Sequence, residues 1–226
     1  MSRWLSIQMI VEGMTEQKFA NEVLADYLAL HNITVCATQV SKPQQKGGDV
    51  RFERAKIDVL KFLRQRRDTI ICTFVDYYGL NQWPGLESIQ ASMTPERIAN
   101  LLTERAVSVL EKEFSDLRVR ERYIPFIAMH EFEALLFSDT SVLAAELGIY
   151  KQQFDAVLDE CGSPEHINNT RETSPSHRLL SLSYGRFKKT YSGIRIANRI
   201  GIDKMRSMCP LFDSWIGRLI AMAEGS

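Results

Sequence analysis

Hydrophobic positions follow two alternating periods up to Met129. Trp4 to Val11 (WLSIQMIV) is an apolar run of strand-suited residues that stops at Glu12-Gly13. Thr15 opens a segment in which Phe19, Val23 and Tyr27 form one row and Ala20, Leu24 and Leu28 the next, a spacing of four that predicts an amphipathic helix. Ile33 to Val40 reads as a second strand, and Lys42 to Asp49 as a polar, glycine-containing loop. From Phe52 to Arg67 the helical spacing returns through Ala55, Val59, Leu60 and Leu63, with Arg64, Arg66 and Arg67 in the last turn, where cations complement the helix dipole. Thr69 to Val75 (TIICTFV) is the strongest strand pattern.

Tyr77 to Met93 has no clear period and contains Gly79, Pro84 and Gly85; a loop of that length in a compact domain is usually functional. Pro95 begins a helix with Ile98, Leu102, Ala106, Val109 and Leu110 on its apolar face, and Tyr123 to Met129 reads as a further strand. Strands alternating with helices predict an α/β fold, a mostly parallel sheet flanked by helices. Beyond His130 the chain shows short helical runs only, ending in Pro210 to Ala223 with its proline in the first turn. The expected organisation is an α/β domain over residues 1–137 and a basic, helical C-terminal extension over 138–226 packed on it.

Composition narrows this picture. At 226 residues and 45% hydrophobic, the chain can bury a core. No apolar run approaches the ~20 residues of a bilayer span, and the amino terminus lacks a signal-peptide pattern, so a soluble cytoplasmic protein without membrane contact is expected. Cys36, Cys72, Cys161 and Cys209 are too scattered for a zinc ribbon or a redox pair, and Cys36 and Cys72 are expected to be small buried hydrophobes. The charge balance of 28 Lys+Arg against 28 Asp+Glu hides a division. From Arg171 onward there are ten basic and four acidic residues, leaving 18 against 24 in the first 170.

Candidate chemistry lies at strand ends. Glu12 follows the first strand, Asp76 the third, and the strand after Tyr123 runs into His130-Glu131-Phe132-Glu133. Ligands of open parallel sheets bind beyond the carboxyl ends of the strands, so these carboxylates should converge there. With Glu16 they make an oxygen-ligand set suited to Mg²⁺ or Mn²⁺, and two ions ~4 Å apart would suit phosphodiester hydrolysis. Each carboxylate also has a structural reading as a helix cap. Glu131 and Glu133 diverge by about 200° on a helix, so one of them is expected to lie outside the site. His130 could be a metal ligand, a proton shuttle or a cap. There is no P-loop, no dinucleotide fingerprint and no nucleophile elbow.

The segment VEGMTEQKF (Val11 to Phe19) resembles the first motif of Toprim domains, found in topoisomerases, bacterial primases and nucleases of the overcoming-lysogenization-defect type, and FVDYYGL (Phe74 to Leu80) occupies the place of their D-x-D motif. These segments, with HEFEALLFSD (His130 to Asp139), TSPSHRL (Thr173 to Leu179) and CPLFDSWIGRL (Cys209 to Leu219), are similar over nearly the whole chain to the bacterial Toprim-like family called domain of unknown function 4276. The resemblance implies a Toprim-like sheet, with Glu12 as the glutamate that binds metal or shuttles a proton, Glu16 as the second glutamate of the nuclease branch and Asp76 as the first aspartate of D-x-D. Tyr78 stands where the second aspartate belongs, so Glu131 or Glu133 would have to replace that ligand.

Two functions follow as expectations. One is a Mg²⁺- or Mn²⁺-dependent nuclease on DNA or RNA, acting in defence against phage or foreign DNA, with Glu12, Asp76 and His130 catalytic and Glu12, Glu16, Asp76, Glu131 and Glu133 as metal ligands. Arg178, Arg186, Lys188, Lys189, Arg195 and Arg199 would meet phosphates, with Tyr184, Phe187 and Tyr191 between them as stacking platforms or, equally, as core. The other is a catalytically reduced partner of a separate AAA-type ATPase. A homo-oligomer is left open.

Overall fold

The computed structural model describes residues 4–41, 50–167, 170 and 172–225. Four parallel strands, β1 (Leu5–Val11), β2 (Ile33–Gln39), β4 (Thr69–Asp76) and β6 (Phe126–Ala128), form one sheet in the order β2-β1-β4-β6. A second, two-stranded parallel sheet joins β3 (Val50–Arg51) to β5 (Leu80–Asn81). This is the expected α/β fold with a helical C-terminal part. The loop expected over residues 42–49 lies outside the described residues.

The period of two divides each strand between two cores. Ile7, Met9 and Val11 of β1 face one side with Cys72 and Phe74 of β4 and Phe126 and Ala128 of β6. Ile10, Ile71, Val75 and Ile127 face the other. Burial on both faces is why these strands read as continuous apolar runs. The second core is completed by α3 (Phe52–Gln65) and α4 (Pro95–Glu113), whose first turn Thr94 caps through Arg97 N at 3.4 Å.

The first core takes in α1 (Met14–Phe19), which runs through a π-helical turn (Ala20–Leu24) into α2 (Ala25–Ala29). α5 (Val119–Arg122) precedes β6. Beyond it the same core continues through a 3₁₀ segment (Phe132–Ser138), α6 (Thr140–Leu147), α7 (Lys151–Cys161), α8 (Pro175–Leu182), α9 (Ile194–Ile200), α10 (Ile202–Met208) and α11 (Pro210–Glu224). Trp215 of α11 stacks on Phe126 with ring centroids 4.7 Å apart. Among the described residues no helix is long and apolar enough to cross a membrane.

Three local expectations are corrected. Cys36 is exposed, unlike buried Cys72, because it lies on the face of edge strand β2 opposite to buried Ile33 and Ala37. The strand expected over Tyr123 to Met129 shortens to Phe126–Ala128, after Pro125, which has no N–H to give a ladder; Tyr123 makes only an isolated bridge to Ile71. The aperiodic stretch after Asp76 has structure of its own. It holds a 3₁₀ turn (Tyr77–Gly79), β5 and a second 3₁₀ turn (Leu86–Ser88), anchored by buried Trp83, whose ring meets Phe52 edge-on at 5.1 Å.

Candidate active site

β1 and β4 are neighbours in register, so their carboxyl ends arrive together. The ladder runs one residue past β1, with Glu12 N donating to Phe74 O at 3.3 Å, and Asp76 N approaches Glu12 Oε2 at 3.4 Å. Asp76 Oδ1 accepts from Phe132 N at 2.9 Å, which ties β4 to the segment after β6. The Phe132 ring packs on Phe19 at 4.9 Å, so this segment is seated by the core beneath it. Glu16 is buried in the first turn of α1, its Oε2 3.1 Å from the position a Cβ would take on Gly13.

The two glutamates of His130-Glu131-Phe132-Glu133 part as their spacing predicts. Glu131 accepts from Ser176 N at 2.8 Å and Ser176 Oγ at 3.0 Å, capping the first turn of α8. Glu133 is 1% exposed and faces inward, with Lys189 Nζ 3.0 Å from its Oε1. That ion pair is so oriented that neither Glu133 oxygen gains a hydrogen bond.

These charges act on one another. Burial pushes the Asp76 carboxyl well above its usual range, and Glu16, Glu12 and Glu133 add to the shift while Lys189 opposes it. Burial also pushes Glu133 up to about 7, with Lys189 opposing. Burial works against the Lys189 ammonium, but Glu133 and Glu131 outweigh it and hold its pKa above the usual lysine value. Glu12, Glu16, Asp76 and Glu133 with Lys189 are thus one electrostatic unit.

His130 stands at its flank. Burial, then His166, lowers its pKa to about 4 against the pull of Glu131, so the ring is neutral at pH 7; its Nδ1 is buried without a hydrogen-bond partner. Tyr77 packs against it at 5.6 Å, and Tyr78 N donates to His130 O at 3.2 Å. Tyr78 itself is 47% exposed.

Most of the expected phosphate-binding cations are already paired. Arg178 grips Glu160 with two bonds, of 2.9 and 3.0 Å, and Arg195 and Arg199 both pair with Glu146, Arg195 at 2.5 Å. Lys189 belongs to the carboxylate cluster. Arg186 donates to Ser183 O at 3.0 Å and, like Lys188, is exposed. Phe187 is in the core, whereas Tyr184 and Tyr191 are exposed, with Arg195 over the Tyr191 ring at 5.6 Å.

The donors of Glu12, Glu16 and Asp76 are all carboxylate oxygens, the type a hard divalent cation takes. Among the described residues, no three His, Cys, Asp or Glu side chains already stand as ligands round a common point. Lys189, expected at phosphates, is instead paired with Glu133, a contact that nothing in the sequence signals. A model of a family described as Domain of unknown function (DUF4276) matches residues 11–220. No curated protein and no solved structure matches the chain.

Proposed function

The chain belongs to the domain of unknown function 4276 family, and on that premise we propose that it is a Toprim-like, Mg²⁺- or Mn²⁺-dependent nuclease that hydrolyses phosphodiester bonds of DNA or RNA in defence against foreign nucleic acid. The observation that carries this reading is the place of Asp76 at the end of β4, its N 3.4 Å from Glu12 Oε2, with Glu16, Glu12 and Glu133 close enough to raise its pKa. Holding like charges together is unfavourable in the absence of cations, and a divalent ion relieves the repulsion.

Glu12, Asp76 and Glu16 would hold the metal. When bound, the metal polarises a phosphoryl oxygen and makes water a better nucleophile. The bond from Phe132 N fixes one oxygen of Asp76 and so orients the carboxylate toward the cluster. His130 is neutral at pH 7 with its Nδ1 unbonded, which makes it a hydrogen-bonding group at the flank of the site, while its low pKa of about 4 makes it a weak proton acceptor there. Exposed Arg186 and Lys188 are available to the phosphate backbone.

Nicking of supercoiled plasmid and cleavage of labelled RNA, with and without Mg²⁺ or Mn²⁺, tests the proposal. Metal-dependent cleavage by the wild type should fall at least ~100-fold in Asp76→Ala, about the weight of a catalytic metal interaction. Equal cleavage by both proteins overturns it. The second reading, a partner of an AAA-type ATPase, is favoured by exposed Tyr78 in the place of a carboxylate. A silent Mn²⁺ titration would select that reading.

A further inference from the structure

The carboxylates that could complete a second metal position are engaged elsewhere. Tyr78 supplies no carboxylate and is largely exposed, and Glu131 is bound to Ser176 through both oxygens. Glu133 remains, buried and without hydrogen bonds, but it has a cation beside it at 3.0 Å. An unpaired carboxylate in that position would be strongly unfavourable, and Lys189 is the charge that compensates it.

Lys189 is placed there by its backbone. It begins a π-helical turn (Lys189–Gly193) closed by Lys188 N to Ser192 Oγ at 2.7 Å, Ser192 Oγ to Lys188 O at 2.9 Å and Gly193 N to Lys188 O at 3.1 Å. A Cβ on Gly193 would meet Phe187 at 3.5 Å and Leu136 at 3.8 Å, so the turn lies close on the core beside the segment that carries Glu133. The ammonium is therefore delivered by a packed turn. The ion pair leaves the Lys189 side chain 44% exposed, and its charge also bears, more weakly, on Asp76.

We infer that Lys189 takes the place of a second divalent ion: the site binds a single Mg²⁺ or Mn²⁺ through Glu12, Asp76 and Glu16, and the Lys189 ammonium on Glu133 is its fixed second cation. This inference rests on the metal-dependent reading above and adds the stoichiometry. A compact ammonium on a flexible stem can occupy an ion position in this way, where the broad fork of an arginine demands two aligned acceptors.

Titrating the full chain with Mn²⁺ by calorimetry, and recording its electron paramagnetic resonance spectrum, tests it. The wild type should take up one Mn²⁺ per chain with no Mn–Mn coupling. Lys189→Met should take up two, with a coupled spectrum, and Lys189→Met combined with Glu133→Gln should return to one. Two coupled ions in the wild type, or a single ion in Lys189→Met, would overturn the inference. Wild type that binds no Mn²⁺ at all removes the metal-dependent reading along with it, a result distinct from a count of two. If Lys189→Met does not fold, the wild-type count decides, one ion supporting the inference and two refuting it.

Discussion

The Glu12 carboxylate lies against Gly79 so closely that a Cβ on that glycine would stand 2.8 Å from both of its oxygens. Gly79 closes the turn after Asp76, so one small residue lets the ends of β1 and β4 share a site. Gly79→Ala should displace Glu12 and weaken Mn²⁺ binding by roughly 10–100-fold, the usual cost of disturbing the surroundings of a metal ligand. Calorimetric titration beside a thermal melt checks this; unchanged affinity in a folded variant would show that Glu12 does not hold metal.

Asp76→Asn should abolish metal-dependent cleavage while stabilising the metal-free protein. Asparagine keeps the acceptor for Phe132 N but removes a charge that burial and three glutamates disfavour. Because the folded pKa is raised, ionising Asp76 costs stability as pH rises from the ordinary carboxylate range toward the folded value, and that cost is complete above it. The gain in Tm of the variant over wild type in EDTA should therefore be small near pH 4 and grow to several degrees by pH 8, with ~1 kcal/mol moving Tm about 2–4 °C at this size. A gain that shrinks with rising pH would contradict the assignment.

Glu131→Ala and Glu165→Ala should lower stability and leave Mn²⁺ stoichiometry unchanged. Glu131 caps α8, and buried Glu165 accepts from Leu211 N at 2.9 Å and Phe212 N at 3.0 Å at the start of α11. Loss of either cap should cost about 1–2 kcal/mol, read from denaturant melts. Loss of a bound ion in Glu131→Ala would place that residue in the site after all.

Arg186 and Lys188 should matter more to nucleic-acid binding than Arg195 and Arg199. All four are exposed, but the second pair already neutralises largely buried Glu146, whereas the first makes no ion pair among the described residues. Replacing Arg186 and Lys188 together by Ala should lower affinity for a labelled oligonucleotide about 10-fold at low salt and flatten its salt dependence. Arg195→Ala with Arg199→Ala should instead cost stability, by leaving a buried carboxylate unpaired. Anisotropy titrations and melts separate the two patterns.

The sheet and its site were legible to unequal degrees. β1, β2, β4, α3, α4 and α11 follow from period and punctuation, because two-sided burial writes a continuous apolar run and one-sided burial a four-residue row. The convergence of Glu12 and Asp76 follows from strand order alone. What sequence reading could not supply depends on contacts far apart in the chain. Trp83 on Phe52, Glu131 on Ser176 and Lys189 on Glu133 each join segments that no local pattern connects. Lys189 looked like one more cation in a basic stretch, and only tertiary packing brings it to the carboxylates. Cys36 was misjudged for the related reason that an edge strand's open face has the same residue types as a covered one.

Trp215 covers the β6 side of the sheet and donates to Ile124 O at 3.4 Å across 91 residues of chain. During synthesis at ~5–20 residues per second, that face of the sheet waits on the order of ten seconds for its cover. Phe74 and Phe126 are left without Trp215 for that interval, and exposed aromatic surface of that kind raises the risk of association before folding is complete.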